Sequence, residues 1–182
     1  MAKGRKKEHA CLWQAAASFA ARAHRHQTRR DGQTPYVAHV FRVAMIVRDV
    51  FACDDEVCIA AALLHDTIED TGTDYDEIEQ AFGAPVADCV AALTKNMALP
   101  EKQRESEYDR RLAEADWRAR LVKLADQYDN LCDLLEGDAA FRKRASVRAR
   151  RALKLAELDR ANRTVQDAAS ALKRLLARVE AK

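Results

Sequence analysis

The segment Ala60–Thr71, AAALLHDTIEDT, sets the strictest condition on how this chain can fold. It opens as an apolar helical run and then places His65, Asp66, Glu69 and Asp70 within six residues. On a helix, residues four apart share a face, so the pattern predicts His65 beneath Glu69 and Asp66 beneath Asp70. Neighbouring residues lie about 100° apart around the axis, which joins the two pairs into one wide polar edge. Ala61, Ala62, Leu63 and Leu64, just before it, predict burial. Three carboxylates gathered out of water repel one another and take up protons. A divalent cation turns that conflict into a binding site, so the segment predicts a metal centre whose other ligands come from elsewhere in the chain.

The length of 182 residues suits a single domain over residues 1–182, burying roughly 70% of the surface its unfolded chain would expose. Only five Gly and three Pro are present, and Ala, Leu, Arg, Glu and Asp dominate, which predicts an all-α bundle of about eight to nine helices. Cys11, Cys53, Cys58, Cys89 and Cys132 are scattered with no C-x-x-C pair and are expected to be small buried apolar groups. No run of about 18 apolar residues exists and MAKGRKKEHA leads into no signal-peptide core, so a cytoplasmic protein without a membrane partner is expected. Charge is uneven: residues 1–139 carry 18 basic against 25 acidic side chains, and residues 140–182 carry 13 against 4. A basic end can signal nucleic acid. Phe141 is the only aromatic in it and no nucleic-acid motif accompanies it, so a solvated face or a basic wall for an anionic ligand is the better reading.

In chain order, residues 8–26 predict a first helix with Leu12, Ala16, Phe19, Ala20 and Ala23 inward. His24 and His26 at its end are expected at the surface, as partners of the helix dipole. QTRRDGQTPY, residues 27–36, carries Asp31-Gly32 and Thr34-Pro35 turn chemistry and is a loop. Its Arg29 and Arg30 are either solvated charges or a phosphate clamp, since guanidinium matches phosphate oxygens bidentately. Tyr36–Phe51 follows as a helix with Val37, Val40, Phe41, Ala44, Val47 and Val50 apolar and His39 beside them. Asp54 or Asp55 caps the helix that carries the central segment, and Thr73 or Asp74 caps a short one over 74–81. Further helices are predicted over 85–94, 101–113, 115–135, 139–159 and 162–180, with a polar excursion near 96–107 and a break at Gly137-Asp138. In the long helix Lys123, Asp126 and Asn130 share one face, while Leu121, Leu124, Tyr128, Leu131 and Leu135 mark an apolar side. Val165, Ala168, Ala169, Leu172, Leu175, Leu176 and Val179 form a core stripe on the last helix.

The order His39, His65-Asp66, Asp126 resembles the HD superfamily of metal-dependent phosphohydrolases, which are all-helical. The flanking residues narrow the resemblance. FAARAHRHQTRRDGQTPYVAH, AALLHDTIEDT, FGAPVADCVAALTK and LVKLADQYDNLCDL together are similar to the hydrolase domain of RelA/SpoT proteins, and most of all to the stand-alone small alarmone hydrolases of the metazoan SpoT-homologue type. HD alone is two letters; the joint pattern of PY-x-x-H, HDTIEDT and K-L-A-D-x-x-x-N carries the signal. The resemblance implies a 3′-pyrophosphohydrolase of (p)ppGpp that uses one Mn²⁺ per chain and yields GDP or GTP with pyrophosphate. Carried over residue by residue, His39, His65, Asp66 and Asp126 would hold the metal, and Glu69 and Asp70 would position and deprotonate water. Arg29, Arg30, Lys123 and Asn130 would face the nucleotide. A synthetase domain would need far more chain and is not expected.

The chain departs from the family at three places. Val40 stands where Pro usually follows the first ligand. Tyr128-Asp129 replaces a leucine followed by His or Tyr before Asn130. The helix near Arg150 lacks an aromatic that relatives can set against the base. Two other readings are open: an HD phosphohydrolase acting on another nucleotide or phosphate ester, and a non-catalytic regulatory HD domain. The Arg29-Arg30 loop favours a substrate with several phosphates, and the presence of all six acidic and histidine positions disfavours the regulatory module. The remaining histidines, His9, His24 and His26, lie near the N-terminus, which favours one metal over two.

Overall fold

Four side-chain oxygens mark where helices begin. Asp55 accepts the backbone N–H of Cys58 at 2.9 Å, and Asp116 that of Arg118 at 3.0 Å. Asn162 accepts from Val165 at 3.3 Å, and Asp74 accepts from Glu77 at 2.9 Å while the Glu77 carboxylate takes the Asp74 N–H in return. Such caps satisfy donors that the first turn leaves unpaired. The computed structural model describes residues 11–133 and 139–181. Its helices are α1 (Leu12–Ala23), α2 (Val37–Met45), α3 (Glu56–Leu64), α4 (Thr67–Asp70), α5 (Tyr75–Phe82), α6 (Ala84–Leu93), α7 (Glu101–Glu114), α8 (Trp117–Cys132), α9 (Ala139–Leu155) and α10 (Arg163–Glu180). A π-helical turn, Ile46–Val50, extends α2, and a 3₁₀ turn, Ala156–Asp159, extends α9. Among the described residues there is no strand, only an isolated antiparallel bridge between Thr28 and Pro35, so the all-α expectation holds.

Two helices form the centre. In α3, Cys58 and Ala60–Leu64 are all buried, because neighbours α1, α2, α6 and α8 cover it on every side. In α8, Leu121, Val122, Leu124, Ala125 and Leu131 are buried against α2, α3, α9 and α10. A helix apolar all round belongs in an interior. The predicted stripe of α10, from Val165 to Val179, is buried and packs on α8 and α9.

Several expectations are corrected. The helix predicted through the central segment breaks at His65–Asp66, so Glu69 and Asp70 sit on a separate single turn, α4. On α2 the buried arc is Val40, Val43, Ala44 and Val47, whereas Phe41 and Val50 are 44% and 45% exposed. Phe41 lies one residue off the arc, and the π turn, closed by the Phe51 N–H on the Ile46 carbonyl at 2.9 Å, rotates Val50 outward. His24 is buried rather than at the surface. Cys53, Cys58 and Cys89 are buried as expected, but Cys11 and Cys132 are exposed. The loop at 27–36 is pinched by the bridge, and Asp31 Oδ1 accepts the N–H groups of Gln33 and Thr34, both at 2.9 Å. The predicted helical residues 8–10, residues 134–135 of the long helix, and the Gly137-Asp138 break lie outside the described residues. Among the described residues, no helix is long and apolar enough to cross a membrane.

Arg120 ties the far side together. Its buried guanidinium pairs with Asp159 at 2.6 and 2.8 Å and donates to the carbonyls of Leu112 at 2.8 Å and Ala115 at 2.6 Å at the end of α7. Removing it strands a buried carboxylate and free helix-end carbonyls. Arg120→Met is expected to lower unfolding free energy by about 3 kcal/mol, measured by urea denaturation; a loss below about 1 kcal/mol would assign the pair no structural weight.

Candidate active site

The break after Leu64 aims His65 into the interior. His65 keeps helical dihedrals, Asp66 turns to φ −100°, ψ −1°, and the freed carbonyls find local donors. Thr67 Oγ1 donates to the Leu64 carbonyl at 2.6 Å, and His65 Nδ1 lies 2.9 Å from the Ala62 carbonyl. A carbonyl accepts only, so Nδ1 carries the proton and Nε2 presents a lone pair to the cavity. His39, in the first turns of α2, is fixed the same way, with Nδ1 2.7 Å from Asp129 Oδ2. The two imidazole Nε2 atoms then face Asp66 and Asp126. His65 Nε2 is 3.0 Å from Asp66 Oδ2 and 4.0 Å from Asp126 Oδ1; His39 Nε2 is 3.6 and 3.5 Å from the same atoms.

These four groups suit a cation. One atom each of His39, His65 and Asp126 lies within 4.8 Å of the others, and Asp66 Oδ2 stands beside the two imidazoles of that group. His65 Nε2 is fully buried and makes no hydrogen bond, with the Asp66 carboxylate 3.0 Å away. Two imidazole nitrogens and two carboxylates are a donor set for a divalent ion of borderline hardness. The chain therefore carries a candidate His/Asp metal site.

The acids beside it are individually held. Tyr36 donates its hydroxyl to Asp66 Oδ2 at 2.6 Å and reaches Asp70 Oδ2 at 3.3 Å. The Lys95 backbone N–H donates to Glu69 Oε2 at 2.7 Å, leaving the other oxygen of that carboxylate toward the cavity. Burial pushes the Glu69 carboxyl up from the ordinary range, and burial together with the charge of Asp66 does the same to Asp70. Burial opposes the charge of Asp126, but Lys123 and the two histidines hold it far below the usual range. Asp126 takes three donors: Lys123 Nζ at 2.8 Å, Gln127 Nε2 at 2.9 Å and Asn130 Nδ2 at 2.5 Å. The ammonium groups of Lys95 and Lys123 each lie 5.3 Å from the centre of the Tyr108 ring.

The residue that departs from the family pattern has a built role. Asp129, buried on α8, accepts from His39 and also takes Arg42 bidentately at 2.6 and 2.8 Å. Arg42 continues to Asp133 at 3.0 Å, Asp133 pairs with Arg29 at 2.7 Å, and Arg29 donates to Asn130 Oδ1 at 3.3 Å. Asn130 returns to Asp126, so hydrogen bonds and ion pairs run in a ring from one candidate ligand to another. Burial alone would raise Asp129; His39 and Arg42 hold it low instead.

All four predicted ligands, Glu69, Asp70, Arg29, Lys123 and Asn130 line one cavity of about 160 Å³. Arg30 does not. It lines an adjoining cavity of about 340 Å³. Tyr36, Lys95, Tyr108 and Arg148 also line the metal-side cavity, and Arg42 and Asp129 stand behind it; none of them was assigned a role from sequence. Arg42 and Asp129 carried a usable signal, since each lies three residues beyond a ligand, one turn along its face.

The HD-domain family model matches residues 16–163. This chain belongs to the HD-domain family. The matched range contains all four candidate ligands, His39, His65, Asp66 and Asp126. The HD domain is 45% identical over 120 residues to the Homo sapiens guanosine-3′,5′-bis(diphosphate) 3′-pyrophosphohydrolase MESH1, covering 65% of this chain and 67% of that protein. The Danio rerio MESH1 is 43% identical over 118 residues, covering 64% and 66%. The aligned segment thus spans about two-thirds of those relatives. A solved structure of a metazoan orthologue of SpoT that hydrolyses ppGpp superposes with a TM-score of 0.76 at 30% identity, covering 92% of this chain and 97% of that one.

Asp129→Asn keeps the shape but loses the charge that fixes His39. It is expected to weaken divalent-metal affinity about 10- to 100-fold, read by chelator competition; an unchanged affinity would leave Asp129 a packing residue. Burial lowers His39, but Asp126 and Asp129 outweigh it and raise the metal-stripped imidazole to about 9 from 6.5. A raised value means that the charged ring stabilises the metal-stripped fold fully below pH 6.5, and that this support is lost as pH climbs through 9. Metal needs the neutral ring and gains in the same interval. The rise in Tm on adding metal is therefore expected to be larger at pH 9 than at pH 6.5, by paired thermal melts.

Proposed function

We propose that the chain is a metal-dependent 3′-pyrophosphohydrolase that cleaves guanosine 3′,5′-bis(diphosphate), ppGpp, to GDP and pyrophosphate, and pppGpp to GTP and pyrophosphate, with one Mn²⁺ per chain. The observation that carries it is the meeting of His39, His65, Asp66 and Asp126 around one point, with Glu69 and Asp70 alongside, in a chain similar to named ppGpp hydrolases. His39, His65, Asp66 and Asp126 would hold the ion. Once bound, it supplies positive charge for the phosphate oxygens and acidifies water in the cavity. Mn²⁺ is the choice the resemblance favours; nitrogen and oxygen donors bind it weakly, so availability decides occupancy.

In the reaction the oxygen of water bonds to the phosphorus esterified to the ribose O3′, the P–O3′ bond breaks, and O3′ leaves with a proton. Glu69 is the proton acceptor in this scheme. Its raised carboxyl moves toward working pH, where a general base is most effective, and the Lys95 N–H fixes one oxygen so that the other can take the proton. Asp70, held by Tyr36, orients the water. Lys123 is half-buried and kept charged by Asp126, and it offers a fixed cation to the phosphate; Arg29 and Asn130 close the side toward the nucleoside.

Metal-stripped protein incubated with ppGpp, with and without Mn²⁺, tests this directly by anion-exchange separation of products. GDP and pyrophosphate are expected only with metal; intact ppGpp in the presence of bound metal would transfer the site to another phosphate ester. Glu69→Gln is expected to keep the metal and lose about 10²-fold in kcat. Asp126→Ala is expected to lose both.

A further inference from the structure

The helix α4 is a single turn of four residues, Thr67–Asp70, and a helix that short does not hold itself. Its shape is imposed by contacts around it. The Thr67 carbonyl takes the Thr71 N–H at 3.1 Å and the Thr71 hydroxyl at 2.6 Å. The Asp70 carbonyl, at the free end of the turn, is met from another part of the chain: Gln27 Nε2, 43 residues away in sequence, donates to it at 2.6 Å. An amide that donates through its nitrogen accepts through its oxygen, which fixes the orientation of Gln27. Its Oε1 lies 2.7 Å from His24 Nδ1, so that nitrogen carries the proton and His24 Nε2 keeps a bare lone pair. His24 is 2% exposed, and Nε2 is buried with no hydrogen-bond partner among the described residues. The same imidazole lies against Tyr36, with ring centroids 4.9 Å apart and 33° between the planes. Tyr36 in turn gives its hydroxyl to Asp66 at 2.6 Å and reaches Asp70 at 3.3 Å.

Asp70 is therefore gripped twice from the end of α1. Its carbonyl is held through Gln27 and its carboxylate through Tyr36, and both grips lead back to one imidazole. Neither His24 nor Gln27 lines the metal-side cavity. We infer that His24 and Gln27 are positioning residues for the hydrolysis, which hold the Asp70 carboxylate in the orientation that directs water while touching neither metal nor substrate. The role rests on the hydrolase reading above, in which Asp70 orients the water. It also accounts for a feature that stability alone disfavours. A buried acceptor without a partner destabilises a fold, and an aliphatic side chain at position 24 would pack on Tyr36 without one. What the aliphatic group lacks is the N–H that fixes Gln27 and, through it, the end of α4. Groups that serve positioning at the expense of stability belong near active sites.

The test compares kcat and KM for ppGpp, divalent-metal affinity, Tm and amide hydrogen exchange in wild type, Gln27→Met, His24→Leu, His24→Asn and the Gln27→Met/His24→Leu double variant. Gln27→Met is expected to lower kcat about tenfold, with KM and metal affinity within about twofold of wild type. His24→Leu is expected to lower kcat without lowering Tm, because the unpaired nitrogen leaves together with the N–H. His24→Asn, which keeps an N–H for Gln27, is expected to recover most of the rate. The double variant is expected to lose no more than Gln27→Met alone, since both changes act through one carbonyl. In metal-stripped protein, exchange at the Asp70 and Thr71 amides is expected to quicken about tenfold in Gln27→Met, with α10 unchanged. An unchanged kcat in Gln27→Met, losses that add in the double variant, or a kcat loss in His24→Leu matched by a fall in Tm would overturn the positioning role, as would unchanged exchange at α4. If wild type leaves ppGpp intact while exchange at α4 quickens as expected, the grip on Asp70 stands and it is the hydrolase reading that fails.

Discussion

Four carboxylates, Asp66, Glu69, Asp70 and Asp126, line one cavity, and the fold around them is arranged to hold that charge. Unpaired, such groups would neutralise themselves by taking protons. Each instead has a fixed answer: Tyr36 on Asp66 and Asp70, the Lys95 N–H on Glu69, and Lys123, Gln127 and Asn130 on Asp126. Those donors come from three separate parts of the chain, so the site exists only when the whole bundle is assembled. The two carboxyls closest to the histidines are held low and the two beyond them are raised. That division separates groups suited to holding a cation from groups suited to moving a proton.

The ring from His39 through Asp129, Arg42, Asp133, Arg29 and Asn130 to Asp126 does a second job. It makes the orientation of an imidazole on α2 and a carboxylate on α8 depend on the same ion pairs that position Arg29 at the cavity wall. Long side chains lose rotamer freedom when they bind a substrate, and an arginine already locked between Asp133 and Asn130 has lost much of it beforehand. The family's usual His or Tyr at position 129 could not accept from both His39 and Arg42. The departure is coherent because Asp129 comes with Arg42 one turn beyond His39.

Much of this was legible in the chain. The helices follow from apolar spacing and from caps such as Asp55, Asp74 and Asn162, and the candidate ligands follow from the order His39, His65-Asp66, Asp126. What failed was anything that depended on one helix ignoring its own periodicity. His65 and Glu69 read as one helical face, yet the chain breaks between Leu64 and Thr67 because Thr67 and His65 satisfy the carbonyls that the break frees. His24 read as a surface group, but it is buried beside Tyr36, with rings 4.9 Å apart and Nδ1 2.7 Å from Gln27; those neighbours come from the loop, whose path spacing does not encode. On α9, Arg144 and Arg148 line the cavity: a run of basic residues on a helix does not say which ones point inward until the partners of the others, here Glu180 and Glu105, are known.

The uneven charge along the chain acquires its meaning in three dimensions. The acidic first part supplies the carboxylates of the metal-side cavity, and the basic last part returns as α9 to wall the cavity next to it. Neither sign is spread over the surface as a general field. Between the two stand Asn130, neutral and bonded to both Asp126 and Arg29, and Arg148, which lines both spaces. A ligand with one phosphate would satisfy only one half of this arrangement. Opposite charges that are separated along the chain are thus separated in space as well, with a neutral amide at their boundary.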